Sequence, residues 1–211
     1  MKMRNSHITG VVLAGGKSAR MGLDKASLVI DGRQMIMYVV DALREAFSDI
    51  LVVAKDANDF RVPGVKTIGD CIEGNGPLVG IYSALSLCKT PYCFVIACDM
   101  PCADSNLIKW MAAACDGYDI FVPRLGSYLE PLFALYSRNC MAPIKDSLAK
   151  GDYRVRSIFS QANVGYADES DIRAIDPELR SFVNINTKDD LMSLLDIKRQ
   201  PAAKAVGSSK I

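Results

Sequence analysis

Short apolar runs alternate along the chain with segments whose apolar residues recur at helical spacing. Residues 8–14, 50–54 and 92–97 are the clearest runs, and each has the length of a strand. Residues 35–47 and 77–87 have the apolar periodicity of helices. A strand that is apolar throughout must be covered on both faces, and strands that alternate with helices favour a parallel sheet. We therefore predict a three-layer α/β fold with a doubly wound, mainly parallel sheet.

The alternation continues less regularly toward the C-terminus. It predicts further strands at residues 65–68, 118–122, 130–136, 163–166 and 182–185, and further helices at residues 104–115, 138–149, 155–160 and 188–197. The 211 residues, half of them hydrophobic, are enough for one generous domain. We predict this domain over residues 8–198, with an N-terminal tail over residues 1–7 and a mobile C-terminal tail over residues 199–211.

A glycine pair follows the first predicted strand. The strand ends in Leu13-Ala14-Gly15-Gly16, and the same loop then brings in Arg20 and Lys25. Because glycine has no Cβ, backbone amides here can approach a phosphate chain closely. A guanidinium can fork onto phosphate oxygens, and an ammonium adds a compact charge. Val11 stands where a Walker A motif requires glycine, so we interpret the segment as a phosphate-binding loop of another kind.

Residues 13–25, which read LAGGKSARMGLDK, resemble the signature of the molybdenum cofactor guanylyltransferases. Further segments are similar to the same family in the same chain order: IGD at 68–70, GPLVGI at 76–81, CDMP at 98–101, EPLFALY at 130–136 and VNINT at 183–187, followed by Asp190-Leu191. The resemblance covers residues 8–195, nearly the whole chain. It implies a Rossmann-like nucleotidyltransferase fold, with the nucleotide at the carboxyl edge of the sheet.

The resemblance also implies an activity and a set of site residues. The activity is transfer of GMP from GTP to molybdopterin, with Mg²⁺ as cofactor and pyrophosphate as the leaving group. The implied contacts with nucleotide or pterin are Leu13, Ala14, Gly15, Gly16, Lys25, Asp70, Gly80, Asp99, Asn184 and Asn186. The implied catalytic residues are Arg20, Lys25 and Asp99, of which Asp99 is the metal ligand.

Each of these residues also has a structural alternative. Asp99 follows a buried strand, where a carboxylate suits Mg²⁺, yet an Asp ahead of Pro101 is also a common turn former. Asp70 has the same two interpretations, and Gly80 could simply permit close helix packing. Asn184 and the nearby Asn186 are expected on one face of a strand, toward the pterin, although they could instead cap the following helix.

Selection of guanine is implied by the loop at residues 13–16. The related cytidylyltransferases have Ala-Ala-Gly where this chain has Ala14-Gly15-Gly16, and glycine in place of the second alanine relieves bulk beside the base, which suits a purine. Many guanylyltransferases carry Asn after the second strand, where this chain has Ala54-Lys55. The contact that this Asn would make with the guanine base is therefore absent or made by another residue, and Asn58 is a candidate. Three arginines could bind the pterin's phosphate or be solvated, and we favour the second account: they are Arg124, Arg154 and Arg156.

The composition narrows the class of partner. Lys and Arg total 25 against 24 Asp and Glu, a balance that argues against nucleic-acid binding. No apolar stretch has the length of a membrane span. Seven cysteines stand beside a single histidine, without paired metal-ligand spacing, so we expect free buried thiols in the cytoplasm and no zinc site. The expected partners are GTP and molybdopterin, and also molybdoenzymes or other cofactor-biosynthesis proteins.

Two alternatives to the guanylyltransferase hypothesis stay open. The first is a related transferase, either a molybdopterin cytidylyltransferase or a sugar-phosphate nucleotidyltransferase. The second belongs to another class, a non-catalytic carrier that passes nucleotide or pterin to molybdoenzymes. A carrier has no need for a metal-binding carboxylate, so the combination of Arg20, Lys25 and Asp99 favours an enzyme.

Overall fold

The computed structural model describes residues 5–14, 28–30, 32–59, 61–185 and 190. The strands within these residues are β1 (Asn5–Leu13), β2 (Val29–Ile30), β3 (Arg33–Gln34), β4 (Phe47–Ala54), β5 (Lys66–Gly69), β6 (Tyr92–Ala97), β7 (Ile120–Leu125), β8 (Tyr128–Leu129), β9 (Phe133–Ser137) and β10 (Val164–Asp168). The α-helices are α1 (Met35–Ala46), α2 (Pro77–Leu87), α3 (Ser105–Ala114), α4 (Met141–Ala149) and α5 (Glu169–Arg173). Short 3-10 segments cover Arg138–Cys140, Val155–Gln161 and Arg180–Phe182.

Eight strands form one sheet in the order β10-β7-β9-β6-β1-β4-β5, with β8 paired to β7. The strands β5, β4, β1 and β6 are parallel neighbours, and β10 is parallel to β7. Strand β9 runs antiparallel to both β6 and β7. From β1 the chain continues to β4 on one side and later to β6 on the other, which leaves a crevice at the carboxyl ends of these strands. The predicted mainly parallel sheet is confirmed.

Helices cover both faces of this sheet. Val11 and Val12 are both completely buried, but they belong to different apolar clusters because successive strand residues point to opposite faces. The cluster of Val12 includes residues of α1 and α3, namely Ile36, Val39, Val40, Leu43, Leu107 and Ile108. The cluster of Val11 includes residues of α2 and α4, namely Leu78, Ile81, Leu85 and Ile144. The three-layer expectation is therefore confirmed.

The strand predicted over residues 182–185 is wrong. Phe182 ends a 3-10 turn, and the described residues after it, 183–185, belong to no strand. The preceding Leu179 has a φ of 53°, in the left-handed region, which turns the chain. Ile185 is fully buried against Met35 even so. A buried apolar residue in this segment thus comes from packing rather than from strand pairing.

Other boundaries differ in detail. The predicted helix over 35–47 and strand over 50–54 meet without a connecting loop, because α1 ends at Ala46 and β4 begins at Phe47. Strand β1 begins at Asn5, ahead of the predicted start. The predicted tail over 199–211 lies outside the described residues, as does the predicted helix over 188–197 apart from Asp190. Within the described residues, no helix is long and apolar enough to cross a membrane.

Candidate functional site

The carboxyl end of β1 is held firmly between its two neighbours. The Ala14 N–H donates to the carbonyl of Val53 at 2.8 Å, and the carbonyl of Leu13 accepts from the Cys98 N–H at 3.1 Å. Leu13 and Ala14 are both buried. In the sequence, the predicted glycine loop begins at the next residue. Four of its predicted site residues lie outside the described part of the chain: Gly15, Gly16, Arg20 and Lys25.

Asp99 lies at the same edge, in the turn that follows β6. Its backbone carbonyl accepts a hydrogen bond from the Ile185 N–H at 2.9 Å, which brings the segment with Asn184 against it. The side-chain Oδ1 of Asn184 is buried and has no hydrogen-bond partner. A buried acceptor without a partner costs free energy, so it indicates a place for a ligand donor or a metal ion. Asn186, predicted to share this face, lies outside the described residues.

Asp70 follows β5, and among the described residues its carboxylate has only one side-chain donor, at a long distance. Burial raises the pKa of this carboxyl group, against the opposing effects of Ser83 and Lys55. The Ser83 hydroxyl lies 3.5 Å from Asp70 Oδ1, but its proton has a nearer acceptor in the Val79 carbonyl at 2.9 Å. The carboxylate therefore retains acceptor capacity for a ligand.

Asp70 lines a cavity of about 460 Å³, which we call the β5 cavity. Its lining residues are Lys55, Asp70, Cys71, Ile72, Glu73, Gly74 and Asn75. Ala54 and Gly69 are paired at the ends of β4 and β5, and this pairing sets Lys55 beside Asp70. Sequence reasoning missed Lys55, although its place directly after a buried strand was a usable signal. Asn58 is not among the lining residues, because its amide donates to Asp56 Oδ1 at 3.0 Å in an exposed turn.

A second cavity of about 600 Å³, the β8 cavity, lies on the other side of the start of α2. Its lining residues are Pro77, Tyr128, Glu130, Pro131, Leu132, Arg154, Val155, Arg156 and Ser157. Glu130 is only 5 % exposed. Its Oε1 accepts from the Leu132 N–H at 3.1 Å, and its Oε2 accepts from the Tyr128 hydroxyl at 3.2 Å. Burial raises the pKa of Glu130, and the negative charge of Asp99 adds to the rise.

The arginines of this region are held in different ways. Arg156 donates to the Leu129 carbonyl at 3.1 Å and lies 5.6 Å from the centre of the Tyr128 ring, within the β8 cavity. Arg154 also lines the cavity, but its side chain is 83 % exposed and paired with Asp152 at 2.7 Å. Arg124 is not a lining residue. It pairs with Asp168 at 2.6 Å, away from both cavities' linings.

The strip of residues 73–77 separates the two cavities. Gly74 and Gly76 have φ values of 155° and 102°, a region that favours glycine. A Cβ on Gly74 would also lie 2.8 Å from the Tyr153 ring. The strip ends at Pro77, the first residue of α2, where the positive end of the helix dipole lies. Both features suit the approach of a phosphate chain.

Gly80 lies one turn further along α2, and it is buried rather than open to either cavity. A Cβ there would approach Leu13 Cδ2 to 3.1 Å, so this glycine lets α2 pack closely on β1. In the described residues, no group of three or more His, Cys, Asp or Glu side chains could hold a metal ion. A metal at Asp99 would thus need ligands beyond a carboxylate cluster, such as phosphate oxygens.

Several known proteins are similar to this chain over most of its length. Residues 10–165 match the family model of the MobA-like NTP transferase domain. A probable molybdenum cofactor guanylyltransferase of Pelotomaculum thermopropionicum is 39 % identical over 185 residues, which are 87 % of this chain and 90 % of that protein. The molybdenum cofactor guanylyltransferase of Desulfosudis oleivorans is 36 % identical over 87 % of this chain and 92 % of its own.

A solved structure agrees with these relatives. The crystal structure of molybdopterin-guanine dinucleotide biosynthesis protein A from Archaeoglobus fulgidus superposes with a TM-score of 0.78 at 27 % identity, covering 90 % of this chain and 98 % of that one. The family model spans well over half of the chain, and the matched region contains the carboxyl end of β1, Asp99 and the lining of both cavities. The chain belongs to the MobA-like NTP transferase family.

Proposed function

We propose that the chain is a molybdenum cofactor guanylyltransferase, which transfers GMP from GTP to Mo-molybdopterin and releases pyrophosphate. The observation that carries the proposal is the meeting of Asp99, the end of β1 and two cavities at one edge of the sheet. A transferase that joins two substrates needs two binding places with the reacting phosphates between them. The relatives named above, similar over most of the chain, support the same activity.

The two cavities suggest which substrate lies where. We assign the nucleoside of GTP to the β5 cavity and the pterin to the β8 cavity, with the phosphates along the strip at residues 73–77. The predicted glycine loop, with Gly15, Gly16, Arg20 and Lys25, would supply further donors to the triphosphate. Asp70 has spare acceptor capacity for the hydroxyl or amino groups of the nucleoside.

The residues at Asp99 fit a divalent cation such as Mg²⁺. Asp99 would hold it, and the buried Oδ1 of Asn184, which has no partner, offers a second oxygen on the segment bonded to Asp99. When bound, the ion neutralises part of the phosphate charge. Oxygen donors of this kind, completed by phosphate and water, are those that Mg²⁺ prefers.

Transfer then needs positioning and charge stabilisation more than proton transfer. A terminal phosphate oxygen of the pterin forms a bond to the α-phosphorus of GTP, and the bond from that phosphorus to the bridging oxygen breaks, so that pyrophosphate leaves. The nucleophile is already anionic, and no general base is required. The ammonium of Lys25 and the loop amides would stabilise the charge that develops on the transferring group.

Comparison of GTP with CTP and UTP tests this proposal. Purified protein is incubated with Mg²⁺, molybdopterin and one nucleotide, and both pyrophosphate and the dinucleotide product are measured. We expect product with GTP well above that with CTP or UTP. Higher turnover with CTP would assign the chain to the cytidylyltransferases. Binding of GTP and pterin without release of pyrophosphate would replace the enzyme by the carrier.

The proposal includes a cytoplasmic reaction, in line with seven cysteines that are all free thiols. The dinucleotide product would pass to molybdoenzymes or to other proteins of cofactor biosynthesis. We include no nucleic acid or membrane among the partners, given the near-neutral charge balance.

A further inference from the structure

We propose that Glu130 is a specificity-determining residue that binds the 2-amino-4-oxopyrimidine edge of the pterin within the β8 cavity. The inference rests on the proposed function, because it takes a pterin as the acceptor. That edge presents two adjacent donors, the ring N3–H and the 2-amino group, beside an acceptor oxygen at C4. A carboxylate accepts both donors with its two oxygens, in the manner of other bidentate pairs.

The burial of Glu130 needs an explanation that the described residues alone do not give. The residue is only 5 % exposed, and no Lys or Arg among the described residues is within ion-pair distance of its carboxylate. Each oxygen accepts one hydrogen bond, from the Leu132 N–H and the Tyr128 hydroxyl. Each retains a second lone pair on a wall of the cavity. A buried carboxylate with spare capacity on both oxygens suits a ligand that brings two donors.

A structural role alone would not require the charge. The hydrogen bond from Leu132 to Oε1 shapes the turn ahead of β9, and this turn directs the Leu132 carbonyl to the Ala97 N–H at 3.0 Å. One neutral oxygen would be sufficient for that, and glutamine would avoid the cost of burying a carboxylate. The remaining lone pair on each oxygen and the negative charge are therefore left for a ligand.

Two neighbours of Glu130 can also contact a flat pterin ring. The ring of Tyr128 is 54 % exposed at the cavity wall, where it can stack on a pteridine. Arg156 lies over this ring, and its guanidinium can donate to the 4-oxo oxygen. The β5 cavity has its own acids, Asp70 and Glu73, and Glu73 is the first residue of the strip at residues 73–77.

The experiment measures binding without turnover, so its outcome is separate from that of the proposed function. Pterin and lumazine, the analogue with oxygen in place of the 2-amino group, are titrated by ligand fluorescence into wild-type protein, Glu130→Gln and Glu178→Gln. The last variant makes the same chemical change at an exposed acid paired with Arg180. We expect wild-type and control protein to prefer pterin by about 10-fold or more, the size of a lost hydrogen bond to a charged group. Glu130→Gln should lose most of that preference.

Steady-state kinetics with GTP and molybdopterin then locate the effect. Glu130→Gln should raise the KM for the acceptor about 10-fold and leave the KM for GTP unchanged. Equal binding of pterin and lumazine by wild-type protein overturns the proposal, even if the variant does not fold. An unchanged preference in a folded Glu130→Gln overturns it as well. A raised KM for GTP alone would place the guanine, which has the same edge, in the β8 cavity. If wild-type protein prefers pterin but transfers nothing, only the proposed function fails.

Discussion

Asp119 lies at the amino end of β7, whereas Asp70 and Glu130 lie at the opposite, carboxyl edge of the same sheet. The carboxylate of Asp119 accepts from the Asn163 N–H at 3.0 Å, the Asn139 amide at 2.8 Å and the Ser137 hydroxyl at 3.1 Å. Those partners join the start of β7, the end of β9 and the start of β10. The backbone donor from Asn163, followed by the two side chains, lowers the pKa of Asp119.

The acids of the carboxyl edge show the reverse behaviour. Burial raises the pKa of both Asp70 and Glu130, because neither receives enough donors to offset the loss of water. A group whose pKa is lowered by folding contributes stability at pH values above its pKa in the unfolded chain, and this contribution is lost in acid. A group whose pKa is raised by folding costs stability once the pH exceeds its pKa in the unfolded chain. The amino edge is thus built for stability, and the carboxyl edge retains unsatisfied polar groups for substrates.

The largest effect is expected at the carboxyl edge, from Asp99→Asn. The substitution retains the shape and removes the charge that would hold the metal against the triphosphate. We expect transfer to fall by about 10² or more, a loss typical of removed transition-state contacts, while thermal stability changes little. Pyrophosphate release at saturating GTP is the measurement, with Asp116→Asn in an exposed turn as control. Turnover at the wild-type rate would remove Asp99 from the metal site.

Asp119→Asn should have its effect on stability instead. The amide of asparagine retains one acceptor oxygen. Its NH₂ group replaces the other oxygen and cannot accept the hydrogen bonds that the carboxylate accepted there. We expect a loss of about 1–2 kcal/mol at neutral pH, at the lower part of the range for charged hydrogen bonds because water still reaches the site. Transfer by the folded variant should be unchanged.

The pH dependence checks the cause of that loss. The pKa of Asp119 is lowered from 3.8, so its contribution is complete above that pH and declines as the pH falls through the folded value. Urea unfolding at about pH 7 and about pH 3.5 should therefore show a smaller difference between variant and wild type in acid. A difference that stays constant over this interval would mean that shape, rather than charge, matters at Asp119.

Asp70→Asn tests whether a charge at the carboxyl edge costs stability rather than contributing it. Because the pKa of Asp70 is raised from 3.8, its ionised form costs stability, and removal of the charge should leave the protein equally stable or slightly more stable as the pH rises above that value. GTP affinity should fall about fivefold, as for one lost hydrogen bond. Calorimetric titration of GTP and thermal unfolding measure the two effects. A clear loss of stability at neutral pH would assign Asp70 to the fold rather than to the nucleotide.

Much of this fold follows from the sequence, because burial on both faces leaves a direct pattern. The continuous apolar run of β6 predicted a strand within a three-layer sheet, and Pro77 predicted the first residue of α2. The direction of β9 did not follow. A five-residue strand has the same apolar pattern in either direction, and only its pairing with β6 and β7 makes it antiparallel.

The candidate site was predictable only where strands end. Asp70 and Asp99 were expected at one edge because parallel strands bring their carboxyl ends together. Glu130 was recognised as part of a family segment without a role, since its burial depends on the turn before β9 and on Tyr128. The alternation around Ile185 predicted a strand, but the contact with Met35 and one hydrogen bond to Asp99 hold this segment. Side-chain partners of this kind leave no periodic signal.

The smallest effect is expected from Arg124→Gln. Arg124 belongs neither to the Asp119 hydrogen bonds at the amino edge nor to the two cavities at the carboxyl edge. Arg124 pairs with Asp168 across β7 and β10 and lies 4.6 Å from the centre of the Tyr166 ring, on a side chain that is 45 % exposed. Exposed ion pairs and cation–π contacts contribute little, so we expect a loss of about 0.5 kcal/mol that salt reduces further.

The matched variant is Arg156→Gln, since Arg156 has a similar contact with Tyr128 but lines the β8 cavity. The KM for molybdopterin should rise in Arg156→Gln and stay at the wild-type value in Arg124→Gln, with both measured beside thermal unfolding at low and high salt. Because the two substitutions remove the same charge, a shared loss of acceptor affinity would show that only the overall positive field attracts the pterin phosphate. A difference confined to Arg156 would show that the β8 cavity itself binds the acceptor. The carboxyl edge would then differ from the rest of the surface in the contacts that it makes with the substrate as well as in its charge.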